Sequence, residues 1–429
     1  MVKKMQYLPS LFQTISRGMH ALLAFTLALA LAAAASTAAQ AQTYTVLHTF
    51  KAEAQGVQPW SGVILDKAGN LYGTTNIGGN LAKCPTYPGC GVVYELNPAG
   101  KETLLHKFKA TPDGQEPTFG NLLMDAAGDL YGTTALGGTG QAGDISDNGV
   151  VFALKKTKSG GLKESVLHSF PDGSGDGAGP EGSLIEDAAG NLYGTTFAGG
   201  TSSYSAGTVF KITKTGQESV LHSFTGYDGF GPVAGLVQDA AGNMYGTASS
   251  GGSAGWGTVF EISAAGDFSV LYNFQGYTTG DGGLASSGQP MVLDSAGNLY
   301  GVTWEGGDAY ACPGFGCGVV FKLDPAGDET ILHTFVGTDG AAPNGVILDA
   351  AGNLYGTTWA GGSKGYGTIF ELDSAGNFTT LYNFKGGADG ASPFGGLTPD
   401  NAGNFYGTAY LGGGIKWGCD CGVVFKLTP

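Results

Sequence analysis

Three features of the 429-residue sequence predict an all-β fold, and within that class a seven-bladed β-propeller of four-stranded antiparallel blades: a unit present seven times, strand-sized apolar runs inside each unit, and 78 glycines beside only 13% charged residues. Such a composition belongs to short strands joined by tight turns. No segment carries the 3.6-residue periodicity of an amphipathic helix.

The repeat sets the architecture. The string A-G-N-L-Y-G-T-T, or a close variant, recurs with its tyrosine at Tyr72, Tyr131, Tyr193, Tyr245, Tyr300, Tyr355 and Tyr406, at spacings of 51 to 62 residues. The third copy shows the layout, with apolar segments at 183–186, 192–196, 208–212 and 219–224, here called strands A, B, C and D. D-A-A-G-N stands between A and B, and K-T-G-Q between C and D; both are turn sequences, so each copy reads as an antiparallel meander. Val220 and Phe224 fall on one side of strand D and Leu221 on the other, which fits a sheet covered on both faces. Blades packed radially give every sheet that cover.

The two ends of the repeat array predict closure. A lone D strand, 44–50, precedes the first full copy, and a lone C strand, 422–427, follows the last B strand, so together they complete one blade. An N-terminal strand that finishes the last blade leaves no half-blade with open edges. An open solenoid would instead want atypical capping repeats.

Residues 1–41 read as a secretory signal: Lys3, Lys4 and Arg17 without any acidic residue, an apolar stretch from Ala21 to about Ala35, and Ala39-Gln40-Ala41 as the cleavage pattern. Residues 42–429 then form a single propeller domain, with no anchor segment expected, and the protein is expected to be secreted, periplasmic or at the cell surface. Loss of the three basic residues takes the formal charge from −15 to −18 and removes the chain's one arginine. Nucleic acid and phosphate partners usually need a basic surface and arginine's fork, so neither class is expected.

The D-A-A-G-N-L-Y-G-T-T block, the Gly-Gly that follows it, the G-T-V-F-K-L strand and the V-L-H-S-F strand resemble the extracellular tandem-repeat family GloVer, named after Gloeobacter and Verrucomicrobia, and all seven copies carry the pattern. The resemblance implies an exported bacterial protein and assigns no activity. Members of that family carry a choice of C-terminal anchors, and this sequence departs from it in showing none.

Several motifs have a structural reading beside a functional one. The aspartate opening the A–B turn, at 66, 125, 187, 239, 294, 349 and 400, could be a metal ligand, but an Asp that caps the N–H groups of a tight turn explains it better. The glycine after the tyrosine, as in Tyr193-Gly194, would allow close approach within the blade. His48, His106, His168, His222 and His333 share one place in strand D, where Tyr272 and Tyr382 stand in the other two copies; a repeated and replaceable position reads as packing rather than catalysis. The six cysteines fall as local pairs between strands B and C: Cys84 with Cys90, Cys312 with Cys317, and Cys419 with Cys421. In an oxidising compartment these are disulfide candidates, the last closing a very small ring, with zinc thiolates as the rival. The segment 172–177 offers calcium-type oxygens at Asp172, Ser174 and Asp176, but Ser183 stands where the bidentate glutamate belongs, so no cofactor is predicted and calcium is the one left open.

The candidate binding surface comes from the non-repeated aromatics. All five tryptophans lie in the B–C loops or the D–A connections, two loop sets that a meander places on one face. Trp304, Trp359 and Tyr410 hold one position in consecutive copies, so ring closure would set them side by side. Trp60, Trp256, Tyr366 and Trp417 join them, with Tyr87, Tyr204, Tyr310 and Phe315, the carboxylates Glu305 and Asp308, and Asp-Gly pairs such as Asp228-Gly229 and Asp339-Gly340. Aromatic faces beside hydrogen-bond acceptors suit an extracellular glycan or a protein partner; rings that merely plug gaps between blades are the structural counterpart. Two further functions stand beside a binding scaffold. One is a lyase- or glycosidase-like enzyme using Glu305 and Asp308, marked by a pocket with a raised-pKa carboxylate; the other is an architectural element of the cell envelope.

Overall fold

A computed structural model describes residues 42–429 apart from 52, 85–87, 140–147, 159–160, 172–174, 277–279, 286–288, 313 and 415–419. The expected signal segment, Tyr87, Asp172, Ser174, Trp417 and Cys419 lie outside the described residues. Tyr44–Thr428 form one compact unit. Among the described residues it contains seven antiparallel blade sheets, each with its strands in meander order, a two-stranded ribbon of Gly177–Ala178 with Ala198–Gly199, and two 3-10 turns as the only helical segments. Closure follows the sequence expectation: Thr43–Thr49 pairs as strand D beside Val423–Thr428, followed by Phe405–Ala409 and Thr398–Pro399.

Turn chemistry explains each A–B hairpin. In blade 3, Asp187 accepts the Ala189 and Asn191 backbone N–H groups on Oδ1, each at 2.9 Å, while its Oδ2 takes the Asn191 amide at 2.7 Å and the Tyr193 hydroxyl at 2.9 Å. Burial works against the ionised form, yet these donors hold the Asp187 carboxyl at about 2. The repeated aspartate is thus a turn cap, and the repeated tyrosine is one of its donors, the fourth at Asp187 and the third at Asp125, where Asp129 replaces the asparagine.

Blade meets blade through rings. The last aromatic of each D strand packs edge-on against the central aromatic of the next blade's C strand, as Phe108 does with Phe152 at 5.1 Å and Phe224 with Phe260 at 5.2 Å. Phe384 with Phe425 and Phe50 with Tyr94 carry this contact through the closing blade. These phenylalanines are almost wholly buried. The glycine after the tyrosine makes room for the same ring: a Cβ at Gly194 would lie 2.6 Å from Phe210 Cζ, and one at Gly246 2.5 Å from Phe260 Cζ. The close approach at Gly194 and Gly246 is therefore to a side chain; at Gly356 a Cβ would also meet backbone, the Gly345 carbonyl oxygen.

Strand D makes a second joint toward the periphery. His106, His168, His222 and His333 each hold an aspartate of the following D–A connection through Nε2, at 2.9 to 3.1 Å, and Tyr272 and Tyr382 do the same with their hydroxyls at 2.8 and 2.7 Å. Those aspartates also accept backbone N–H groups, as Asp228 does from Thr225 and Asp339 from Val336. The histidine position is thus a hydrogen-bonded post for the connecting loop. Asp228 and Asp339, expected as open acceptors for a ligand, are already occupied.

Candidate functional site

The D–A connection hooks each blade to its neighbour by one residue in the left-handed region. Gln58, Glu116, Leu284, Ala342 and Ser392 have φ between 52° and 61°, and glycine fills the place in blades 3 and 4. Each donates its N–H to the preceding blade; Gln58 reaches the carbonyl of Cys421, and Ser392 that of Tyr366. Its own carbonyl receives the N–H of the residue just beyond strand B: Asn76 binds Gln58, Phe197 binds Gly179, Ser249 binds Gly231, and Tyr410 binds Ser392. In blades 5 and 6, Leu284 and Ala342 stand across the ladder from Trp304 and Trp359. A uniform backbone device therefore presents one side chain per blade around the mouth of the axis.

The innermost A strands close the axis below that mouth. Asn121 Nδ2 donates to Gln289 Oε1 at 2.8 Å, joining blades 2 and 5, and Gly62, Gly345 and Gly396 pack against these two side chains so closely that a Cβ would overlap them. Above this plug is a cavity of about 250 Å³ lined by Phe119, Glu181, Phe197, Val233, Ser249, Leu284, Ala285 and Trp304. Ligand sites are typically concave and mostly apolar with a few placed polar groups, and this cavity has that make-up.

Aromatic rings continue from the cavity across one side of the mouth. Trp304 lies nearly parallel to Trp359 at 6.4 Å and edge-on to Phe394 at 5.5 Å. Phe394 stacks on Phe119 at 4.9 Å, and Trp60 touches Phe119, Phe394 and Tyr410 at 5.0 to 5.4 Å. Phe197 and Trp359 remain 42% and 40% exposed, so flat ring surface faces outward on both sides of the cavity. The Trp304 indole Nε1 is buried without a hydrogen-bond partner among the described residues.

The polar component is a carboxyl pair. Burial, with the neighbouring Glu116 charge adding to it, pushes Glu181 up to about 7, and burial also raises Glu116, whose Oε1 accepts from the Gln115 amide at 3.2 Å. Glu181 therefore exists in both donor and acceptor forms near neutrality.

The sequence-derived candidates divide into two groups. Trp304, Trp359 and Tyr410 stand together at the mouth, with Trp60. Trp256 packs between blades, where a Cβ at Gly276 would lie 2.5 Å from its ring, while Tyr366 lies over Gly386, whose Cβ would come within 2.9 Å, and remains 46% exposed. Asp308 caps its own turn by accepting the Tyr310 N–H at 2.9 Å. Glu305 ends strand B of blade 5, and burial raises its carboxyl. Phe119, Glu181, Phe197 and Phe394 did not enter the sequence-derived set; Phe119, Glu181 and Phe394 sit in connecting loops of differing length, so repeat alignment does not bring them together, whereas Phe197 holds the same repeat position as Trp304 and was legible there. Cys84–Cys90 and Cys312–Cys317 are disulfides with Cα separations of 5.5 and 5.3 Å, which rules out thiolate ligands there. Cys421 is also disulfide-bonded, and its expected partner Cys419 lies outside the described residues.

Comparison with known proteins gives family and fold. The family profile of the Gloeobacter/Verrucomicrobia repeat matches residues 35–241 and 234–429. No curated protein sequence matches the chain significantly. Among solved structures, the extracellular domain of what is described as the hybrid two-component system BT3049 from B. thetaiotaomicron aligns with a TM-score of 0.54 at 15% identity. That alignment covers 90% of this chain and 41% of the other, so the chain spans less than half of that domain. A fungal alcohol oxidase of the AA5 family, solved in complex with copper, aligns with a TM-score of 0.53 at 13% identity, covering 91% of this chain and 77% of the other. At such identities the likeness is one of fold.

Proposed function

We propose, for a chain that belongs to the Gloeobacter/Verrucomicrobia repeat family, an exported binding scaffold that holds a glycan at the aromatic mouth of the propeller axis. The observation that carries this reading is the 250 Å³ cavity with Trp304, Phe119 and Phe197 on its walls and Glu181 among its lining groups. Sugar rings present C–H faces to aromatic rings and hydroxyls to polar groups, and the mouth offers both. Two disulfides and the signal-like residues 1–41 support export.

The test is a glycan-array screen of the purified protein beside a Trp304→Ala/Trp359→Ala variant with an unchanged circular dichroism spectrum. A hit that the variant loses supports the reading. Glycan hits that survive in the variant place recognition elsewhere, and no hit from the folded protein removes the sugar and turns the search to a protein partner at the same face.

One observation favours a second reading. A carboxyl raised to about 7 in a cavity, with a second carboxyl beside it, is an arrangement acid–base enzymes use on glycosidic bonds. The pair is Glu181 with Glu116, in place of Glu305 with Asp308. Product release from an array-positive glycan, abolished in Glu181→Gln with binding retained, would move the protein from scaffold to enzyme.

A further inference from the structure

We propose that the junctions between blades 1 and 2 and between blades 2 and 3 each bind one divalent cation of the zinc class, through His106, Asp113 and Glu164 at the first and His168, Asp176 and Glu218 at the second. In each set the histidine and aspartate come from one blade and its outgoing loop, and the glutamate opens strand D of the next blade. One ligand atom from each of the three residues lies within 4.8 Å of the others.

The donor chemistry fits. One imidazole nitrogen and two carboxylate oxygens make the three-protein-ligand set of an open tetrahedral zinc site, with water as the fourth ligand. His168 Nε2 stands 2.9 Å from Asp176 Oδ2, and His106 Nε2 3.1 Å from Asp113 Oδ2. Ligand atoms around tetrahedral zinc are separated by roughly 3.3–3.5 Å, so a small movement of the glutamate completes the set, and the cation replaces the proton between histidine and aspartate.

The glutamates supply an independent observation. Glu164 Oε1 and Glu218 Oε1 are buried and have no hydrogen-bond partner among the described residues. A buried, unpaired carboxylate oxygen beside a second carboxylate is costly unless a cation joins them. At the first junction Lys109 Nζ lies 3.6 Å from Asp113 Oδ2 and offsets part of that charge, so the second junction is the tighter site.

Other junctions serve as internal controls. Where phenylalanine replaces the glutamate, its ring stacks flat on the histidine, Phe268 on His222 at 3.5 Å and Phe378 on His333 at 3.8 Å, and no third ligand stands there among the described residues. Glu329 also has a buried Oε1 without a partner among the described residues, but it faces Tyr272 and Asp281, so it lacks the imidazole.

The experiment is zinc titration of the chelator-stripped protein by calorimetry, with bound metal counted by elemental analysis after gel filtration and the fold of each variant checked by circular dichroism. Two zinc ions per chain are expected, falling to one in Glu164→Gln and in Glu218→Gln, to none in the double variant, and staying at two in Glu329→Gln. Substituting cobalt gives a second readout: visible absorption of four-coordinate intensity, halved in either single variant. A folded wild-type protein that takes up no zinc, calcium uptake without zinc uptake, or zinc retained in a folded double variant would each overturn the proposal.

Discussion

The joints between blades and the rim around the axis rest on the same seven-fold backbone, but only the joints repeat their side chains. At every joint an aromatic ring from strand D meets an aromatic ring from the next strand C at 5.1 to 5.5 Å with interplanar angles of 66–71°. At the rim, the corresponding positions hold Asn76, Ala135, Phe197, Ser249, Trp304, Trp359 and Tyr410. The backbone device that fixes these residues is uniform, so their diversity is not forced by folding. Repetition marks what the ring needs to close, and divergence on an unchanged frame marks where selectivity can be written. The joints of strand D with Glu164 and Glu218 fall between, with a repeated post and a partner that changes from blade to blade.

Breaking a joint should cost most. Phe224→Ala empties a buried position against Phe260 and is expected to destabilise the protein by about 3–5 kcal/mol in chemical denaturation. A loss below about 1 kcal/mol would mean that the joints are not the main source of cohesion.

A pH effect comes next. Glu181 has a pKa of about 7 in the folded chain against an ordinary 4.5, so between these values the folded state holds a proton that the unfolded state releases. Its contribution is full below pH 4.5 and is lost as the pH rises through 7, by at most about 3 kcal/mol. Melting temperature followed across that range should fall for the wild type and fall less steeply for Glu181→Gln; equal slopes would place the group in water.

Gly194→Ala should cost about 1–3 kcal/mol, because its Cβ would press on Phe210. Pairing it with Phe210→Leu should return part of the loss, and a simple sum of the two losses would show that the ring is not what forbids a side chain at this glycine. Trp359→Ala should change stability least, by about 0.5 kcal/mol or less, since the ring is 40% exposed, while removing outward aromatic surface at the mouth. A large loss of stability there would turn the rim into a structural joint and dissolve the comparison.

Much of this was written in the sequence because the repeat is strict where the fold depends on it. The spacing of the tyrosines, the Asp-led turns and the terminal D and C strands gave blade number, strand order and the mode of closure. Trp304 and Trp359 were legible as neighbours since they hold one position in successive copies. Glu181, Phe119 and Phe394 were not, because the D–A connections vary in length and carry no fixed period. Histidine and aspartate are separated by seven, eight and six residues at His106, His168 and His222, so their pairing is hidden in the same way. For Trp256 and Tyr366 a signal did exist: each lies against glycines of the following D–A connection, Gly276 and Gly283 for the first and Gly386 for the second, where a flat surface accepts a ring.

The closing strand also imposes an order on the life of the molecule. Thr43–Thr49 is among the earliest described segments to emerge from a ribosome or translocation pore, and its partner, Val423–Thr428, is the last described strand. Until then a β-rich segment waits with unpaired backbone, exposed to self-association, while six blades can assemble from local contacts. Completion of the ring is therefore timed by the arrival of Val423–Thr428 and open to any factor that shields the first strand.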